Sequence, residues 1–357
     1  MTVELTRGVV PTFAMKGKQV LPGLGLAVAI AVVATGFGHL LPVVGGPVFG
    51  IVLGVVTAVV LRRAVQERVA VLDRGAAVAG RAVLQVSIVL LGTGLSLTRV
   101  AHTGASSLPV MLGTLTVALG GAVLAGRLMR VRGNTRTLIG VGTGICGASA
   151  IAAVTAVIGA ADAEVSYAIA TIFTFNVAAV LLFPAIGHAL GLSQHAFGLW
   201  SGTAINDTSS VVAAATTYGN VAANYGVVVK LTRSLMIIPI CVALGAVVGH
   251  RAAATEPEAS AFGRLRRLPW RRMFPLFLIG FLAASALDTA GVIPDGWHGG
   301  LTTTSSFLIT VALSGIGLAT RPDRLRAAGP RPLVLGAVLW VAVAVTSLLL
   351  QLATGSL

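Results

Sequence analysis

The sequence predicts an all-α polytopic membrane protein of about eleven transmembrane helices in one transporter-like domain. Three observations carry that prediction. Of 357 residues, 56% are hydrophobic and only 10% charged, against about 25% charged in a soluble domain; the mean hydropathy is +0.94. Apolar runs of roughly 20 residues, the length that crosses a bilayer core, follow one another along almost the whole chain. Basic residues cluster in the short breaks between those runs, as orientation in a membrane requires. That placement, rather than nucleic-acid binding, accounts for the net charge of +14.

Taken in order, residues 1–19 are polar and basic with no cleavage-site pattern, and read as a cytoplasmic tail. Runs near 20–38, 43–61, 78–98, 108–127, 138–158, 165–186, 197–216, 224–249, 274–294, 302–320 and 332–352 then fill a single domain over 20–352. A basic loop at 250–273 interrupts it and a short tail at 353–357 closes it. In span 2, Gly46, Gly50 and Gly54 form a small-residue packing face. Arg81 and Gln85 open span 3 and are expected at its cytoplasmic boundary, and Asp288 near the outer end of span 9.

If every run crosses, the clusters Arg62–Arg74, Arg127–Arg136, Arg251–Arg272 and Arg321–Arg331 share one side with the N-terminal tail. The other side then holds Asp162, Glu164, Asp295 and His298, with Arg99 as its lone basic residue. This gives a cytoplasmic N-terminus and an external C-terminus. The loop between spans 6 and 7 fits worst, since it offers only His188 and His195.

Two stretches inside these runs are unusually polar or glycine-rich. Gly202-Thr203-Ala204-Ile205-Asn206-Asp207-Thr208-Ser209-Ser210 packs an amide, a carboxylate and four hydroxyls into apolar surroundings. Sixty positions earlier, Gly142-Thr143-Gly144-Ile145-Cys146-Gly147-Ala148-Ser149 shares its Gly-Thr-x-Ile-x-x-x-Ser pattern without a gap. Such residues compete for backbone hydrogen bonds, so spans 5 and 7 are expected to be broken or re-entrant. Broken backbone survives in a membrane where protein or water satisfies it, and a restarting helix offers N–H groups to an anion. Hydroxyls alone serve equally well as interhelical glue; Asp207 favours a functional site, as ionisable groups at this depth do.

A second echo lies at an offset of 223, where Gly92-Thr93-Gly94-Leu95 matches Gly315-Ile316-Gly317-Leu318 and Pro109 and Gly113 match Pro332 and Gly336. This pair is inverted in the membrane, a pattern found in secondary transporters. The offset-60 pair comes out parallel if every run crosses, and the two repeats do not fit one tandem duplication.

Span 8 carries Lys230 and Arg233 on one helical face. Snorkelling to the headgroups is feasible for Lys230 and harder for Arg233. Their expected partners are a bound oxyanion or Asp207, a permanent bridge to Asp207 being the bland alternative. Asn176, in mid-span 6, reads as path-lining or as an interhelical hydrogen bond. Cys146 and Cys241 suggest no disulfide and no zinc site, and no catalytic or dinucleotide-binding motif is present. The chain is therefore expected to be neither an enzyme nor cofactor-dependent.

The two glycine-threonine motifs, with Val229-Lys230-Leu231-Thr232-Arg233, resemble the sulfate-exporter family of bacterial inner-membrane proteins that includes the YeiH group. The resemblance runs from about span 2 to span 11 and implies ten or so helices and export of sulfate or a related small anion. Many members carry His followed by Asp or Glu where this chain has Asn206-Asp207, which removes a group titrating near neutral pH here.

Together the residues and the resemblance point to a secondary transporter of a small oxyanion. Thr143, Cys146, Ser149, Thr203, Asn206, Thr208 and Ser209 are the expected binding residues, with Lys230 and Arg233 supplying charge and Asp207 coupling or gating. The expected partners are the anion, the bilayer, H⁺ or Na⁺ as coupling ion, and a second copy of the chain. A Na⁺/H⁺ or other cation/proton antiporter built on Asn206-Asp207 is the first alternative; a channel or non-transporting scaffold is the second.

Overall fold

The apolar runs do become helices over the described residues. The computed structural model describes residues 20–40, 45–64, 69–253, 276–320 and 330–357; all regular structure among them is helical. The tail 1–19 and the basic residues Arg264–Arg272 and Arg321–Arg326 lie outside the described residues. The helices are α1 (Leu21–Leu40), α2 (Gly45–Ala64), α3 (Val69–Val78), α4 (Leu84–Gly92), α5 (Leu97–Leu128), α6 (Gly133–Gly144), α7 (Ala148–Ile158), α8 (Asp162–Ala189) and α9 (Gln194–Ala204). They continue with α10 (Thr208–Tyr218), α11 (Asn220–Leu235), α12 (Ile237–Ala253), α13 (Leu276–Thr289), α14 (Asp295–Ala319) and α15 (Pro330–Thr354). A π-turn, Ala79–Val83, joins α3 to α4.

Among the described residues, seven helical stretches are long and apolar enough to span a membrane, counting α3–α4 and α11–α12 as one stretch each. The shorter apolar helices α2 and α13 pack beside long partners. Gly46, Gly50 and Gly54 of α2 lie in turn against Thr310, Ser314 and Gly317 of α14, so α2 runs parallel to α14 and the expected packing face is real. A Cβ at Gly50 would meet Ser314 Oγ at 2.9 Å and Thr310 O at 3.1 Å, which only glycine avoids. Gly280 and Ala284 of α13 likewise pack on Val89 and Gly92 of α4, and Ser285 Oγ donates to Gly92 O at 3.1 Å.

The helices sort into two packed bodies. One is α1–α4 with α13 and α14; the other is α5–α12 with α15. Apolar side chains of α2, α4, α13 and α14 meet those of α8, α10 and α11 in a shared cluster that includes Ile88, Val180, Val212, Val227 and Phe281.

Spans 5 and 7 are the elements the sequence left open, and contacts at their ends decide them. In α6–α7, Asn134 near the start donates to Glu164 at 3.1 Å, and α7 ends only three residues before α8 begins. Both ends of this unit therefore lie beside the start of α8. In α9–α10, Gln194 Oε1 accepts from Val221 N at 3.0 Å, just beyond the end of α10. Tyr218 stacks on Phe197 at 3.8 Å and on His188 at 4.3 Å, and its hydroxyl donates to Leu192 O at 2.5 Å. Both ends of this unit lie beside the end of α8. Each half-helix has 11 or 12 residues, roughly 16–18 Å at 1.5 Å per residue, about half of a 30 Å hydrocarbon core.

Spans 5 and 7 are thus re-entrant hairpins that enter from opposite faces, separated by the single crossing α8. This corrects the reading in which each of eleven runs crosses. The Gly-Thr-x-Ile pair becomes an inverted pair, like the offset-223 echo, while the two offsets still do not fit one tandem duplication. Asp162 and Glu164 move to the side of Arg127–Arg136. The loop holding His188 and His195 moves to the opposite side, where an absence of Arg and Lys is expected. One smaller correction follows. Span 3 begins earlier than expected, with its apolar stretch at Leu72–Gly92, so Arg81 and Gln85 are not at its boundary. Asp288 lies at the end of α13 as expected, held by His298 Nε2 at 2.7 Å across the α13–α14 turn.

Candidate functional site

The hairpin tips are where the sequence cannot continue a helix. Gly147 takes φ 67° and ψ −129°, a conformation open to glycine and strained for other residues. It follows Ile145, which ends α6 at φ −121° and ψ −93°. At the second tip Ile205 is extended, and Asp207 caps α10 by accepting from Ser209 N at 3.1 Å. Asp207 also accepts from the Ser209 hydroxyl. The two tips touch: a Cβ at Gly147 would lie 3.5 Å from Asp207 Cβ and 3.7 Å from Asn206 O. The junction therefore gathers four helix ends, the C-termini of α6 and α9 and the N-termini of α7 and α10.

Lys230 and Arg233 from α11 hold the C-terminal pair. Lys230 Nζ donates to Ile145 O at 2.8 Å and to Ile205 O at 2.7 Å, bridging both tips. Arg233 donates through Nε to Gly144 O at 2.6 Å and through Nη2 to Thr143 O at 3.1 Å, and through Nη1 to Thr203 O. Both side chains are fully buried. The last carbonyls of a helix lack partners and carry its negative dipole end, so five charge-assisted bonds satisfy what the broken backbone leaves open. Two expectations are corrected here. Lys230 does not snorkel, and both cations engage backbone carbonyls instead of pairing with Asp207, which makes no ion pair among the described residues.

The N-terminal pair faces the other way. Ala148 and Ser149 at the start of α7 are exposed, and Asp207, Thr208 and Ser209 are half-buried. The first return bonds are Ile151 N to Gly147 O and Val211 N to Asp207 O, so the N–H groups before them have no carbonyl partner in their own helix. Beside them, Asn206 is buried with neither Oδ1 nor Nδ2 partnered, and buried Thr143 Oγ1 also lacks a partner. Buried polar side chains are normally hydrogen-bonded, so unpartnered groups at one junction mark a place for a ligand or water.

The remaining expected residues divide. Asn176 Oδ1 accepts from Asp207 N at 3.3 Å, which brings mid-α8 to the second tip. Cys146 is buried within the first tip. Thr203 turns away: its hydroxyl meets Leu199 O at 2.6 Å and Ser347 Oγ at 2.7 Å, where it ties α9 to α15. Sequence reading missed Ser347 and Gln351, a buried polar pair on α15 joined at 3.2 Å; their spacing of one helical turn inside an apolar run was the available signal. Among the described residues, no group of three His, Cys, Asp or Glu side chains is placed to hold a metal ion.

The comparisons agree with a membrane protein throughout. A UPF0324 membrane protein of Streptococcus pyogenes serotype M6 is 40% identical over 343 residues, covering 94% of this chain and 97% of the relative. One of Streptococcus agalactiae serotype V is 37% identical over 349 residues, covering 95% and 99%. Another, of Fusobacterium nucleatum, is 36% identical over 351 residues, covering 93% and 97%. No solved structure matches. The family model described as Conserved hypothetical protein 698 matches residues 22–336, and the chain belongs to that family of membrane proteins.

Proposed function

We propose that the protein is a secondary transporter of a small oxyanion, bound where the two hairpin tips meet. The observation that carries this reading is the convergence of two helix N-termini, from opposite faces, beside the buried and unpartnered Asn206 and Thr143. Inverted discontinuous elements meeting at mid-membrane are the architecture of alternating access. Helix N-termini and hydroxyls suit an anion. In this reading Asn206, Thr143, Ser149, Thr208 and Ser209 hydrogen-bond the substrate. Lys230 and Arg233 act indirectly: by neutralising the C-terminal ends of α6 and α9, they leave the positive potential of the N-terminal ends uncancelled. Asp207 caps α10 and releases it when an anion binds or when its carboxylate takes a proton.

Sulfate or sulfite is the substrate suggested by the sulfate-exporter resemblance, and export the suggested direction. The placement of Arg62, Arg74 and Arg127–Arg136 on one side, opposite Arg99, supports a cytoplasmic face at the first hairpin's entrance and a bacterial inner-membrane location. Calorimetric titration of purified protein with sulfate, sulfite, bicarbonate, chloride and Na⁺ tests the reading. Binding of one oxyanion, lost in Asn206→Ala, is expected. One observation favours a cation/proton antiporter instead, namely the half-buried Asp207 carboxylate at the tip. Binding of Na⁺ alone, lost in Asp207→Asn, selects that alternative.

A further inference from the structure

Arg233 and Lys230 leave the proposed site without a cation that faces its ligand. The other packed body supplies one. Along α3, the π-turn and α4, the exposed positions include Arg74, Ala77, Arg81 and Gln85, spaced by three and four residues and so on one helical stripe. Arg81 and Gln85 make no hydrogen bond or ion pair among the described residues. Three residues farther along, a polar stripe that met lipid would continue to lipid. Here it runs instead into Ile88, which is 2% exposed and packs in the cluster shared with Val180 and Val212 of the hairpin body. Leu91, one turn beyond Ile88, shares a cavity with Thr216 and Asn220 of the hairpin body, so this end of the helix is directed at the seam between the two bodies. Intramembrane arginines face protein or water-filled cavities for the same reason.

The depth of Arg81 follows from that end. Leu91 and Gly94 share a small cavity with Thr216 and Asn220, at the far ends of α4 and α10. Arg81 lies ten residues before Leu91, roughly 15 Å back along its helix, and Asp207 lies nine before Thr216, roughly 13 Å back. The π-turn, which adds a residue to one turn and occurs often at functional sites, sits at the level of the hairpin tips.

We infer that Arg81, with Gln85 beside it, lines a water-filled crevice opposite the hairpin tips and contributes the guanidinium that binds the transported oxyanion from the second body. This rests on the proposed function and deepens it: the substrate is held between two bodies and not within one, so its binding depends on how they are apposed. Arginine matches a tetrahedral oxyanion through paired N–H donors.

The test combines accessibility and binding. Single cysteines at Arg81, Gln85 and Val86 are treated with a membrane-impermeant thiosulfonate in the full-length protein in liposomes. The unsubstituted chain is the control, since Cys146 and Cys241 are buried. Labelling of R81C and Q85C but not V86C is expected. Calorimetry on the detergent-purified protein should show sulfate affinity at least tenfold weaker in R81A, partly restored in R81K, with an unchanged Tm. Labelling of R81C no faster than V86C overturns the crevice. Unchanged sulfate affinity in R81A, in a protein whose binding N206A abolishes, overturns the role of Arg81 but leaves the hairpin site standing. Failure of the unsubstituted protein to bind any oxyanion overturns the proposed function itself, and the anion role of Arg81 with it.

Discussion

The two hairpin tips begin with the same Gly-Thr-x-Ile sequence and reach the same depth, yet they are built by different means. At the first, Gly147 turns the chain through a conformation that glycine tolerates, and α7 starts with no side-chain cap. At the second, Asp207 turns and caps α10 with its own carboxylate, and Asn176 steadies it from α8. Lys230 treats the two alike, with bonds of 2.8 and 2.7 Å to the corresponding isoleucine carbonyls. One tip is thus shaped by backbone conformation and the other by a titratable group.

The largest test of this contrast removes what the tips share. Arg233→Ala leaves three buried carbonyls, of Thr143, Gly144 and Thr203, without their donor. At about 1–3 kcal/mol for each orphaned group, a loss of roughly 3 kcal/mol or more is expected in detergent unfolding. An unchanged Tm would show that water replaces the guanidinium. Gly147→Ala probes the first tip alone; strain at this backbone conformation should cost about 1–3 kcal/mol, and a smaller effect would mean that the tip relaxes. The corresponding loss at the second tip, Asp207→Ala, is a missing cap of about 0.5–2 kcal/mol.

Asn176→Ala removes one hydrogen bond to Asp207 N and should lower stability by about 0.5–1.5 kcal/mol. Asp207→Asn sharpens the comparison most although its effect on stability is the smallest. Asparagine caps as well as aspartate, so the change is expected to stay within about 0.5 kcal/mol. Any dependence of flux on pH that arises from this tip should disappear, as measured in proteoliposomes. A retained pH profile would show that the dependence does not arise at this tip.

Much of the architecture was legible in the residues. Gly46, Gly50 and Gly54 announced a packing face and formed one. Both breaks were visible, because Gly147 and the Asn206-Asp207 pair sit where a helix would otherwise run on. Whether a broken run crosses or returns was not legible, since a hairpin and a span use the same length of apolar chain. The bonds from Asn134 to Glu164 and from Val221 to Gln194 decide it, and each joins residues about thirty apart. The roles of Lys230 and Arg233 were illegible for another reason. Their acceptors are main-chain carbonyls, which every residue carries and no side chain identifies.

The sequence by itself determined that this is a helical membrane protein, where its helices run, and where two of them break. Hydropathy reports the transfer of each residue from water to lipid, and glycine and hydroxyl residues report local helix cost; both are written position by position. The tertiary structure alone decided that the breaks meet from opposite faces and that the buried cations cap helix C-termini. Those facts depend on direction and on contacts between distant segments, which a sum over local preferences does not contain.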